Sequence, residues 1–163
     1  MQENFMNIFI EHMGIIIFIH VLSAIIWVGG MISTRFTVYS TLKDVQDHNV
    51  KFKKTLKIMK KQQIMTIPFV ILLILTSIVM TLGINFKGTQ IYNIIHIKES
   101  IWLFMALNFF AIYQTTTKAQ KLIHDHDILK AREQLAIINK LLLPINIILG
   151  IIALYLGVIL RGY

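Results

Sequence analysis

Cysteine is absent from the chain, which excludes disulfides, thiolate metal sites and thiol redox chemistry. No Walker loop, nucleophile elbow, HExxH segment or Gly-rich dinucleotide turn occurs, so nucleotide and hydrolase chemistry have no support. Charge is scarce. Only 15% of the 163 residues carry it, against 56% hydrophobic, and the mean hydropathy is +0.69. A soluble domain of this length does not have that balance. What charge there is almost avoids four apolar windows, near residues 13–34, 63–84, 91–114 and 141–160. Each is long enough for the roughly 20 residues of helix that cross a bilayer. No basic residue precedes the first window and no small-residue cleavage site follows a short apolar core, so a membrane helix is expected there, not a signal peptide. The expected fold is all-α: an integral membrane four-helix up-down bundle forming one transmembrane domain over 1–163.

The net charge of +8 invites a nucleic-acid reading, but its placement argues against one. Arg35, Lys43, Lys51, Lys53, Lys54, Lys57, Lys60 and Lys61 fall between the first two windows. Lys118, Lys121, Lys130, Arg132 and Lys140 fall between the last two. This positive-inside pattern predicts cytoplasmic basic loops at 35–62 and 115–140, with both termini outside. Its expected partner is membrane lipid, not nucleic acid.

Proline occurs twice, at Pro68 and Pro144, 76 residues apart. His20 and His96 share that offset, as do His48 and His124, and Lys54 and Lys130. The pattern suggests two tandem, parallel two-helix repeats related by an axis along the membrane normal. His20 and His96 would then lie in the same leaflet, roughly 10 Å and 8 Å deep at 1.5 Å per residue. First and third helices of such a bundle are diagonal neighbours, on the order of 11–14 Å apart. Two imidazoles across that gap leave room for a flat macrocycle with iron at its centre, so His20 and His96 are the candidate axial ligands of one haem b. The alternative is neutral rings hydrogen-bonded to neighbouring helices. The inner halves of the windows contain no histidine, which excludes a second bis-histidine cofactor there.

Around the pair, Trp27 follows His20 by seven residues and so shares its helix face, with Ser23 and Ala24 small enough to admit a ring plane. Lys98 would snorkel to the headgroups or pair with a porphyrin carboxylate, and Trp102 would join the aromatic belt. His12, about 80° round the helix from His20, could form a Cu(I) site with Met1, Met6 and Met13. His124 and His126 read as solvated loop residues.

The run His20 to Gly30, H-x6-W-x-G-G, resembles the first-helix motif of the CopD and HemJ group of small membrane proteins. The segment His96–Asn108 is similar to their third-helix run, and Arg35 with Tyr39 to the segment after their first helix. Thr34-Arg35 stands where the HemJ pattern has Pro-Arg. The resemblance implies a functional first-helix histidine and third-helix lysine, matching His20 and Lys98, and in the HemJ branch a haem-b protoporphyrinogen IX oxidase. The CopD branch implies copper transport or resistance. The expected function is electron transfer or oxidation of a small membrane-associated substrate, in the bacterial inner membrane. A redox partner is unidentified, homo-oligomerisation is left open, and a scaffolding subunit is the non-catalytic alternative.

Overall fold

The computed structural model describes residues 2–42, 44–83 and 92–160. Four long helices account for nearly all of them: α1 (Gln2–Ser33), α2 (His48–Gly83), α3 (Tyr92–His124) and α4 (Ile128–Leu160). No strand occurs among the described residues. Each helix packs on two others: α1 and α3 each touch α2 and α4, which makes α1 and α3 the diagonal pair. Only 17% to 28% of the residues in the four apolar windows are buried inside the bundle. Phe18, Ile25, Phe104, Phe110 and Val158 are among the large side chains that face outward. A protein in water would not hold such an apolar exterior, whereas in lipid it is the expected solvent-facing surface. The chain is a multi-pass membrane protein.

The basic stretches expected as loops are mostly helix. Among the described residues, the helix between α1 and α2 gives out only at 42 and 44–47, and between α3 and α4 over 125–127. The reason lies in the lysine-rich run itself. Phe52, Leu56, Met59 and Gln63 are buried on one stripe of α2, while Lys53, Lys54, Lys57 and Lys61 point out. Lysine is a good helix former, and neither glycine nor proline interrupts the run. Phe52 and Leu56 pack against Ala119 and Ala131 in a separate small core at this basic end. Asp127 caps α4 by accepting from the Lys130 amide, and the Lys130 ammonium, 2.8 Å from the Asp127 carboxylate, holds that carboxyl below the usual range. The expected spans' ends at 84 and 91, and Lys43, lie outside the described residues.

Two helices carry π turns: Thr34–Val38, continuing α1, and Ile138–Leu142, inside α4. The second immediately precedes Pro144, whose ring would clash with a carbonyl one turn back, and the widened turn accommodates it. Pro68 lies inside α2 without such a turn. The π turns therefore do not follow the 76-residue offset. Arg35 Nη1 joins the two by donating to the Asn139 carbonyl at 2.8 Å.

The membrane core centres on Trp27, Val28, Met105 and Phe109. Trp27 meets Phe109 edge-on across the α1–α3 diagonal, ring centroids 5.8 Å apart. Gly150 lets α4 approach, because a Cβ there would lie 2.8 Å from Val28 Cγ2. Polar clasps pin this core. Asn108 Nδ2 donates to the Leu142 carbonyl and to Asn146 Oδ1, and Asn146 Nδ2 donates to the Met105 carbonyl. Asn146→Leu should destabilise the protein by about 1 kcal/mol, since interhelical hydrogen bonds in lipid average about 0.6 kcal/mol. A double-mutant cycle with Asn108→Leu, read by unfolding in bicelles, should give a coupling of that order. Zero coupling would mean that the clasp adds nothing.

Candidate functional site

Chain direction gathers the remaining polar groups at the end of the bundle away from the lysines. The N-terminal half of α1 and α3 and the C-terminal half of α2 and α4 meet there. Thr76, Lys98 and Gly157 belong to these halves, and His20 lies in the first half of the apolar span Phe9–Val38.

His20 is partly buried, and its Nδ1 lies 3.0 Å from Thr76 Oγ1 on α2. Thr76 has one hydroxyl proton, and it is directed at its own helix, 2.8 Å from the Leu72 carbonyl and 3.1 Å from that of Leu73. The hydroxyl therefore accepts, and His20 donates from Nδ1–H. That choice of tautomer leaves Nε2 with a free lone pair.

Ser23 and Trp27 continue inward on the same face of α1. Both are almost completely buried, and neither Ser23 Oγ nor Trp27 Nε1 has a hydrogen-bond partner. Trp102 Nε1 on α3 is buried and unpartnered too. Its indole N–H is thus held inside the bundle, not at the aqueous edge expected of an aromatic belt. Lys98, one turn earlier on α3, is partly buried, with its Nζ against Gly157 of α4. No carboxylate neutralises it among the described residues.

His96 is placed differently. It is about half exposed, stacked edge-on against Tyr92, and its Nδ1 donates to Glu99 Oε2 at 3.0 Å. Thr81 of α2 donates to the other oxygen of Glu99. His20 and His96 thus anchor to α2 five residues apart, about 140° round that helix. Each ring keeps its own partner, and no hydrogen bond joins them among the described residues. The structure joins His20 to Thr76 on the α1 face that also carries Ser23 and Trp27, sets Lys98 against Gly157, and pairs His96 with Glu99.

His12 sits at a kink in α1, with φ −117° and ψ 20°, so the angle expected from a continuous helix does not apply. It is exposed beside Glu11, and Met1 lies outside the described residues. No group of three or more His, Asp or Glu able to hold a metal ion occurs among the described residues. Of the expected loop pair, His124 is the last residue of α3 and His126 lies in the tight turn before α4, with φ 61°. Sequence reasoning missed Thr76, which sets the tautomer of His20.

The fold and these side chains define a class: a four-helix membrane bundle with uncompensated donors and an available imidazole in one half. Comparison with protein families, curated proteins and solved structures finds no match for this chain.

Proposed function

We propose that the chain binds one b-type haem between α1 and α3, and serves electron transfer or the oxidation of a small membrane-associated substrate. The donor set fits that group chemically. The observation that carries the reading is His20: its Nδ1 donates to a hydroxyl whose proton is directed at its own helix, so in the neutral ring Nε2 is the acceptor nitrogen, and Lys98 of α3 has no carboxylate partner among the described residues. An imidazole held this way is the arrangement metal-ligating histidines use. His20 would hold the iron, and His96, whose Nδ1 is likewise engaged, would supply the second imidazole. Lys98 would hold a propionate, while Ser23 and Trp27 would border the ring. Bound haem would supply one-electron chemistry; the protein's own part is to fix the His20 ring, exclude water and balance the propionate charge.

The HemJ resemblance, which pairs a first-helix histidine with a third-helix lysine, supports the oxidase form of this reading. Purified protein from haem-replete cells should show a reduced spectrum with sharp α and β bands and slow reaction with carbon monoxide, because two imidazoles leave no open position. A colourless preparation would sink the proposal.

We place the protein in a bacterial inner membrane with the basic end cytoplasmic. Reporter fusions at 44–47 and 125–127 should then read cytoplasmic, and fusions at both termini external. A cytoplasmic C-terminal reporter would overturn this orientation.

A further inference from the structure

A cavity lies at the opposite, basic end of the bundle, among α1, α2 and α4. It measures about 380 Å3, within the range of small-molecule sites, about 300–1,000 Å3. Arg35, His48, Lys51 and Arg132 line it, together with apolar side chains including Phe52 and Met59. No acidic residue lines it. Asp47, just before α2, spends one carboxylate oxygen on the Asn49 and Val50 amides.

The two guanidinium groups are oriented but not neutralised. Arg35 donates Nη1 to the Asn139 carbonyl, and Arg132 donates Nη2 to Asn49 Oδ1 at 3.2 Å. Both acceptors are neutral, so both full charges remain, with several N–H donors each to spare. Like charges held together around a cavity without acids repel one another, and an anion in the cavity would reverse that cost. The two π turns frame the place: Thr34 and Arg35 come from one, Asn139 from the other, and each is on the cavity wall. Widened turns of this kind recur at functional sites.

From this convergence we infer a binding site for an anionic phosphate ester, its oxygens taken by Arg35 and Arg132 and its apolar portion laid on Phe52 and Met59. The bidentate fork of arginine matches phosphate oxygens, and the apolar wall rewards an ester over a bare ion. The inference stands independently of the haem reading, since the two sites occupy opposite ends of the bundle.

The test uses the full chain in neutral detergent, with thermal unfolding followed against short-chain phosphatidylglycerol, short-chain phosphatidylcholine, glycerol phosphate and inorganic phosphate. Phosphatidylglycerol should stabilise saturably, and phosphatidylcholine should not. Saturation by glycerol phosphate or inorganic phosphate with the same variant dependence would support the site and identify a soluble phosphate as its ligand. Arg35→Gln with Arg132→Gln should raise the half-saturation point on the order of a hundredfold, about tenfold for each charged hydrogen-bond donor. Lys53→Gln with Lys54→Gln removes the same charge from exposed positions outside the cavity and should change it by less than about twofold. If the double arginine variant does not fold, Arg132→Gln alone serves, because that side chain is exposed and its one hydrogen bond goes to an exposed amide. Equal weakening by the two lysine substitutions would overturn the site in favour of diffuse surface charge. So would equal binding of phosphatidylcholine, or no saturable binding of any probe.

Discussion

Replacing His20 with alanine should abolish the low-spin haem spectrum, either by losing the cofactor or by turning it high-spin. The imidazole is the one strong nitrogen donor whose free ring nitrogen and inward half-burial coincide. The effect should propagate to its support. Thr76→Val keeps the shape of the side chain but removes the oxygen that accepts from Nδ1–H. The ring is then free to change tautomer and orientation, and loss of such a partner costs about 10- to 100-fold in metal affinity. Thr76→Ser should restore most of it. His96→Ala separates two forms of the site. A low-spin spectrum lost in this variant makes His96 the second ligand. A spectrum unchanged in His96→Ala but lost in His20→Ala would remove His96 from the site and leave His20 as the ligand. Lys98→Ala should weaken retention without changing spin state, since a propionate contact is not an axial bond. A wild-type spectrum in His20→Ala would end the assignment altogether.

The bundle was legible because a bilayer imposes a long apolar period that hydropathy reads directly. The helix ends were not. Hydropathy reports the solvent a helix faces, so α2 looked as if it began near 63, although the stripe Phe52–Leu56–Met59 carries it back to His48. His20 stood out because an imidazole in hydrocarbon demands a partner. Its partner did not, since a threonine can satisfy itself on its own helix and so leaves no mark in an apolar run. The placement of His96 shows why equal depth is a weak argument. One residue turns a helix by about 100°, and here Ile95 is buried while His96 is exposed. The bond from Arg35 to the Asn139 carbonyl spans 104 positions and ends on backbone, which carries no residue signature.

Trp27→Ala should be the most destabilising single substitution in the membrane core, at about 3.5–4.5 kcal/mol. In lipid the unfolded side chain stays in an apolar solvent, so no water-transfer gain is lost and packing alone decides the cost. Trp27 is 1% exposed. Truncation opens a cavity of roughly 130 Å3, which at about 24 cal/mol per Å3 costs about 3 kcal/mol. Losing the edge-on contact with Phe109 adds about 0.5–1.5 kcal/mol. Trp27→Phe separates packing from polarity. It leaves a smaller cavity of roughly 40 Å3, worth about 1 kcal/mol, and it removes an indole N–H that has no protein partner. Unfolding of the cofactor-free protein in bicelles should therefore rank Trp27→Phe well above Trp27→Ala in stability. Loaded protein adds a second readout: if the indole N–H serves a bound group, Trp27→Phe weakens its retention while the cofactor-free bundle loses only the about 1 kcal/mol of the smaller cavity. A Trp27→Phe variant as unstable as Trp27→Ala would instead show that this N–H is part of the protein's own framework.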